Sequence, residues 1–313
     1  TAFLYGDLHA HERVYMRVPE GVPNRDKSTC WALQKCIYGL KQSARRFNEH
    51  LHSTLTTIGY TRSAHDPCLY INITPSSFTV LVIVVDDILM ATSDNTIANT
   101  FLANMRETYQ MKDLGEPSYT IGIHFERNTE TNGYTISQKR YLEDVIARFS
   151  SANLPTATIP MPSALRLTST GLANDSDSPL CDPLMYRSLI GSLMYVLLTR
   201  PDVATPISML ARFMHAPRKV HLDSALRVLG YLRTTKDMCL HYNRTDTTKP
   251  QLRCYVDSDW AADADTRRSR YGFAIYLGSS LLCWRSKLHS SITLSTAEAE
   301  YVAASETAKE ILW

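Results

Sequence analysis

Asp86 and Asp87 stand side by side inside the most apolar stretch of the chain, with residues 78–85 before them and 88–90 after, both rich in β-branched side chains. Two carboxylates held in such a strand pair repel each other and lose hydration unless a cation or hydrogen bonds compensate. A hard divalent cation suits the position, because Mg²⁺ takes carboxylate oxygens together with waters and substrate phosphates. Two such ions about 3.5–4 Å apart can stabilise both the attacking and the leaving oxygen of a phosphoryl transfer. The plainer reading is a solvated turn, where Asp is common. The seven cysteines are scattered and form no C-x-x-C pair, so the sequence suggests neither a zinc knuckle nor a disulfide framework, and a reducing compartment fits best.

The elements that must hold the pair can be read from periodicity. The runs on either side of Asp86-Asp87 predict a tight hairpin with both carboxylates at its bend. Val14, Met16 and Val18 alternate as an edge strand does, and a helix is expected over 42–55 after the Tyr38-Gly39 turn. Asp94 is placed to cap a helix reaching Tyr109, strands are expected near 119–125 and 134–136, and Ser137 is expected to cap a helix ending near Phe149. Residues 150–183 hold five prolines among many Ser, Thr, Asn and Asp and read as a connector. Tyr186, Leu189, Ile190, Leu193, Met194, Leu197 and Leu198 share one helical face, as do Leu222, Ala225, Leu226, Leu229 and Leu232; both are core stripes. Three strands are expected over 252–256, 271–277 and 281–284, then a helix from Ser295. The class is α+β.

With 313 residues, 44% hydrophobic and 20% charged, the chain has the profile of a globular protein of about two domains. No apolar run approaches the ~20 residues of a membrane span, and the amino terminus has no signal-peptide pattern. Net charge is +2, too small to argue for nucleic acid, but seven basic residues against two acids lie between 200 and 236, and five basic residues without an acid between 266 and 289.

The ordered motifs resemble the reverse transcriptase of copia-type LTR-retrotransposon Pol polyproteins. Val84-Val85-Asp86-Asp87 matches three positions of that family's Y-V-D-D box; residues 1–8 match T-A-F-L-N-G-x-L with Tyr5 for Asn; 15–21 match Y-M-x-x-P-E-G. Residues 37–45 match L-Y-G-L-K-Q-A-P-R with Ser43-Ala44 for Ala-Pro, and 66–70, 111–116, 186–188, 191–195 and 199–202 follow in order. Residues 256–263 resemble the family's S-D-A-D-W-A-G-D and 294–301 its S-S-T-E-A-E-Y, both from the ribonuclease H module.

The resemblance implies a reverse-transcriptase palm at 1–150, a linker at 151–185, a helical thumb or connection at 186–245, and the start of a ribonuclease H-like domain at 250–313. Asp86 and Asp87 would be polymerase metal ligands for Mg²⁺ or Mn²⁺. Phe3 would lie under the sugar and exclude a ribose 2′-hydroxyl, although a core Phe fits the position equally. Gln42 would contact the nascent base pair, and Lys41 and Arg45 phosphate. In the ribonuclease H part, Asp257 is the choice on the first strand. On the helix, Tyr301, Ala304, Ala308, Ile311 and Leu312 define the expected packed face, and Glu300, nearer its edge than Glu298, is chosen as the second acid. Asp259, Asp263, Asp265 and Glu298 are expected to be merely solvated, and the two basic stretches to wall a template–primer duplex.

The implied partners are an RNA template, a DNA primer, an RNA–DNA hybrid, deoxynucleoside triphosphates and the rest of the Pol polyprotein, with no membrane. The implied location is cytoplasmic, in a virus-like particle. Val84 in place of Tyr and Ala44 in place of Pro bear on rate and fidelity. The family's D-V-K segment, which carries a third polymerase carboxylate, precedes T-A-F-L, and a further ribonuclease H Asp falls on a strand after the helix. The expectation is therefore a piece truncated at both ends, weak or inactive alone; the alternative is a non-catalytic remnant that at most binds nucleic acid.

Overall fold

The computed structural model describes residues 2–9, 11–23, 26, 28–150, 154–174, 177–243 and 251–313. Thr1, at the start of the opening motif, and most of the expected boundary at 245–250 lie outside the described residues. The chain is mixed helix and sheet and divides after Glu116 into two compact units.

In the first unit a short 3-10 turn (Ala2–Tyr5) is followed by β1 (Tyr15–Arg17) and β2 (Cys30–Ala32), a two-stranded ribbon, and then α1 (Ser43–Thr57). A four-stranded antiparallel sheet follows, in sequence order, from β3 (Thr61–Arg62), β4 (Leu69–Ile73), β5 (Phe78–Val84) and β6 (Asp87–Thr92). Period-2 alternation puts Thr79, Leu81 and Ile83 of β5 inside, where α1 contributes Phe47, Leu51 and Leu55. The last helix, α2 (Asn95–Thr108), adds Phe101 and Met105, and the Asp94 carboxylate caps it by accepting from Thr96 N–H at 2.8 Å.

The second unit opens with β7 (Tyr119–Thr120), β8 (Ile123–Asn128) and β9 (Gly133–Ser137), then α3 (Lys139–Arg148) and the small hairpin β10 (Leu167–Thr168) and β11 (Gly171–Leu172). Helices α4 (Pro183–Val196), α5 (Ala204–Leu210) and α6 (Lys219–Thr234) follow, and β12 (Leu240–Tyr242) returns to pair with β9. Leu142 and Val145 of α3, together with Phe149, pack in one core with Tyr186, Leu189, Ile190 and Leu193 of α4 and Leu229 and Leu232 of α6. That shared core is why packing divides the chain at 116 and not near the expected palm boundary at 150.

Two local expectations change. Ser137 ends β9 and does not cap α3; Gln138 holds the cap position, and its buried amide donates to Tyr195 O at 3.0 Å and accepts from Thr199 Oγ1 at 2.9 Å. The described part of the expected linker, 154–174 and 177–183, is not detached, since Ala157 and Leu167 are buried in the helical core. Turn-rich composition denies them long elements, but α6 satisfies their backbone: Thr234 Oγ1 donates to Ala157 O at 2.8 Å. Gly230 on α6 lies so close to the Pro155 carbonyl that any β-carbon there would collide. On α4, Met194 faces outward, and Leu198 just beyond is exposed too, so the apolar stripe is narrower than periodicity drew it.

The chain closes with β13 (Leu252–Ser258), β14 (Arg270–Leu277) and β15 (Ser280–Leu288), an antiparallel sheet in that order, and α7 (Thr296–Leu312), capped by Ser295. The expected packed face of α7 is wrong. Ala299, Ala303 and Thr307 lie against the sheet, while Tyr301 and Leu312 are 78% and 85% exposed and Ala304 and Ala308 also face out. The sheet presents Tyr271, Phe273 and Ile275, and only small helix side chains let the backbones approach over that bulk.

Candidate active site

Val84 and Asp87 are the last paired residues of the β5–β6 hairpin, so Val85 and Asp86 form a two-residue turn. Val85 takes φ 56°, a left-handed conformation that strains a β-branched side chain. Leu81 and Ile83 anchor β5 in the core, and the turn carries Asp86 and Asp87 into solvent, both exposed. The carboxylates are therefore not forced into an apolar strand pair; the hairpin presents them hydrated, on a backbone fixed by its ladder.

Phe3 is half-buried, its ring 4.7 Å from Tyr38 and tilted to it at 48°, and edge-on to Phe47 at 6.2 Å. It packs on the same core cluster as Ile83 and Ile88, which flank the Asp pair. Lys41, Gln42 and Arg45 sit at the start of α1. Lys41 and Arg45 are exposed, and Arg45 donates to Glu49 at 2.8 Å one turn on. All four expected substrate contacts thus belong to the unit that carries Asp86 and Asp87.

In the second unit Asp257 lies on β13 opposite Gly272, exposed, and Ser258 N–H donates to Glu300 Oε1 at 3.4 Å. This brings Glu300 to the backbone of Ser258, next in sequence to Asp257 at the end of β13, although the helix face that suggested it was misread. Glu298 turns back instead and accepts from Leu294 N–H at 2.5 Å. The acids expected to be merely solvated are structural. Asp259 Oδ1 accepts from Arg270 N–H at 2.8 Å, Asp263 pairs with Arg212 and Thr266, and Asp265 accepts from Ser169 N–H at 2.9 Å.

Sequence reasoning missed His289 and Ser258. His289 is 2% exposed and its Nε2 lies 3.2 Å from Ser258 Oγ. A lone His just after a strand and before a helix carries no periodic signal that would have marked it.

Among the described residues no group of three or more His, Cys, Asp or Glu gathers as a metal cage. What each site offers is a pair of hard oxygen donors, which matches a cation that keeps waters and takes phosphate oxygens to complete its shell. The donor chemistry fits Mg²⁺ or Mn²⁺ and not a soft metal.

The basic stretches are largely committed inside the second unit. Arg200 is 2% exposed and donates to both Asp202 oxygens, at 2.9 and 2.6 Å. Arg212 pairs with Asp263, Arg218 donates to Ser178 O at 2.9 Å, Lys219 pairs with Asp223 and Lys236 with Glu143. Arg285 pairs with Glu310. Several of these charges are thus taken up within the unit: Asp202 and Asp223 are local partners, whereas Asp263, Glu143 and Glu310 are distant in sequence and a local charge count omits them.

A family model described as "Reverse transcriptase (RNA-dependent DNA polymerase)" matches residues 1–163. The whole chain is 34% identical to the retrovirus-related Pol polyprotein from transposon TNT 1-94 of Nicotiana tabacum, of which it covers 24%. It is equally 34% identical to the corresponding polyprotein from transposon RE1 of Arabidopsis thaliana, covering 21% of that protein. A putative transposon Ty5-1 protein of Saccharomyces cerevisiae matches at 34% identity over 99% of both chains. The chain thus spans about a quarter or less of the two long Pol polyproteins. Among the described residues no helix is long and apolar enough to cross a membrane.

Proposed function

Because this chain belongs to the reverse transcriptase family, in the copia-type branch of transposon Pol polyproteins, we propose that it is the polymerase palm and thumb, with the start of ribonuclease H, of an RNA-directed DNA polymerase. The observation that carries this reading is the exposed Asp86-Asp87 pair at the turn of a core-anchored hairpin. Asp86 and Asp87 would hold a divalent cation, which would supply charge stabilisation at the phosphate oxygens and activation of a primer 3′-hydroxyl. The chain's own residues do the rest: the hairpin fixes the carboxylates, Phe3 floors the sugar, Gln42 meets the nascent base pair, and Lys41 and Arg45 hold phosphate as positioning contacts. Asp257 and Glu300 form a second pair for cutting RNA in a hybrid. RNA template, DNA primer and deoxynucleoside triphosphates are the substrates, and the remainder of the Pol polyprotein is the natural partner, in cytoplasmic particles.

Primer extension on poly(rA)·oligo(dT) with Mg²⁺ or Mn²⁺ and dTTP, beside Asp86→Asn, tests the reading. The expected loss in the variant is about 100-fold or more, the several kcal/mol that a lost metal contact removes. Equal extension by both proteins would sink the assignment. The second reading, a non-catalytic remnant that binds nucleic acid, is favoured by each site presenting only a pair of acids among the described residues. It expects no extension, and duplex binding that is unchanged by Asp86→Asn and falls as salt rises.

A further inference from the structure

Beneath the Asp257–Glu300 pair the strand end is tied down by a buried imidazole. Ser258 Oγ lies 3.0 Å from Asp259 O and 3.3 Å from Arg270 O, so its single proton goes to a carbonyl and its lone pairs remain free to accept. His289 Nε2, 3.2 Å away, must then be the donor. The opposite nitrogen, Nδ1, is buried without a hydrogen-bond partner among the described residues, which suits a lone pair and would strand a proton. Burial pushes the His289 pKa down, against the smaller opposing pull of Asp259 and Glu306, in keeping with a neutral ring. The residue is fixed further by its backbone N–H, which donates to Ser269 O at 2.8 Å, and the ring by the edge-on Tyr271 ring at 5.3 Å.

We propose that His289 is a positioning residue: by holding Ser258 Oγ it fixes the Ser258 N–H against Glu300 and so sets that carboxylate beside Asp257, ready for a divalent cation. The inference rests on the ribonuclease H part of the proposed function for its cation, but the positioning itself is a property of the apo protein. Among the described residues no carboxylate hydrogen-bonds to the ring; its hold on Glu300 passes through one hydroxyl and one backbone N–H.

The test compares the Ser258 amide signal by NMR in the parent protein and in Glu300→Gln, then follows it during Mn²⁺ addition. In the parent protein the signal is shifted from its place in Glu300→Gln and broadens with Mn²⁺, and Glu300→Gln abolishes the broadening. In His289→Ala that shift is lost and Mn²⁺ affinity falls about 10-fold, the usual scale for a residue that orients a metal ligand. His289→Gln, whose amide can still donate to the hydroxyl, restores both. A shift that persists undiminished in His289→Ala overturns the proposal. Should that variant not fold, Ser258→Ala asks the same question by removing the hydroxyl and keeping the amide, and a persistent shift there is equally fatal. A parent protein that shows the shift but no Mn²⁺ broadening refutes the metal reading and leaves the positioning role standing.

Discussion

Arg46 bridges elements far apart in sequence. Its guanidinium donates to both Glu12 oxygens, at 3.0 and 2.8 Å, and to Glu49 at 2.6 Å, so the segment before β1 is tied to α1. The bond from Arg46, then the backbone N–H of His9, holds the Glu12 carboxyl down from its ordinary 4.5 to about 2. A carboxylate lowered on folding contributes stability that is fully present above its ordinary value and is lost as pH falls through the folded one. Between pH about 4.5 and 2 the first unit should therefore weaken. Glu12→Gln should lower stability at neutral pH and flatten that part of the acid limb, read by urea unfolding at stepped pH. An unchanged limb would show that the pair contributes nothing. Nothing in the sequence near Glu12 announces this partner. The catalytic candidates were more legible, because Asp86-Asp87 interrupts an apolar run, but Ser258 and His289 were not, since their roles come only from the strand register.

At the level of elements, the β5–β6 turn places Val85 where a two-residue turn of this hand favours glycine. Val85 is exposed and loses little packing on truncation. Val85→Gly should stabilise the protein by about 0.5–1 kcal/mol, because relief of left-handed strain outweighs the added backbone entropy. A calorimetric melting temperature that falls instead would refute the strain. The corrected face of α7 makes a paired prediction. Ala303→Leu should cost about 1–3 kcal/mol by overpacking against Phe273 and Ile275, whereas Ala304→Leu, on the outer face, should change stability by less than about 0.5 kcal/mol. Urea midpoints of the two variants check it, and the reverse order would restore the face drawn from periodicity. Periodicity found where apolar residues lie on α7, but it could not say on which side the sheet stands. The β5–β6 hairpin and β13–β15 were read closely because alternation and turn residues are local; β3, β4, β12 and the β10–β11 hairpin were not read, and neither was the core that unites α3 with α4 and α6, because it is built from contacts across the connector.

For the whole molecule, basic residues divide by what they touch. Arg200, beyond Asp202, donates to Thr235 O at 2.9 Å, and the Tyr231 hydroxyl donates to Asp202 at 2.8 Å, so the pair is a buried clasp between the start of the α5 region and the end of α6. Arg200→Ala should cost about 3 kcal/mol in urea unfolding by leaving Asp202 without its cation, and leave the salt dependence of duplex binding unchanged. Lys41→Ala should do the opposite, reducing the salt slope by about one with little loss of stability. If both variants alter the slope alike, Arg200 contacts nucleic acid after all.

The close passage of Gly230 beneath Pro155 also bears on how the chain comes off a ribosome. The apolar side of α3, around Leu142, is complete long before Leu232 has been made, and until α4 and then α6 follow, the core it shares with them stays incomplete. At about 5–20 residues per second, that interval lasts roughly 5–18 s. During that wait a sticky helix stands open, and the segment through Pro155 cannot be clamped until α6 arrives. Synthesis of this protein is therefore expected to gain from chaperones that shield apolar surface until α6, far downstream, has been made.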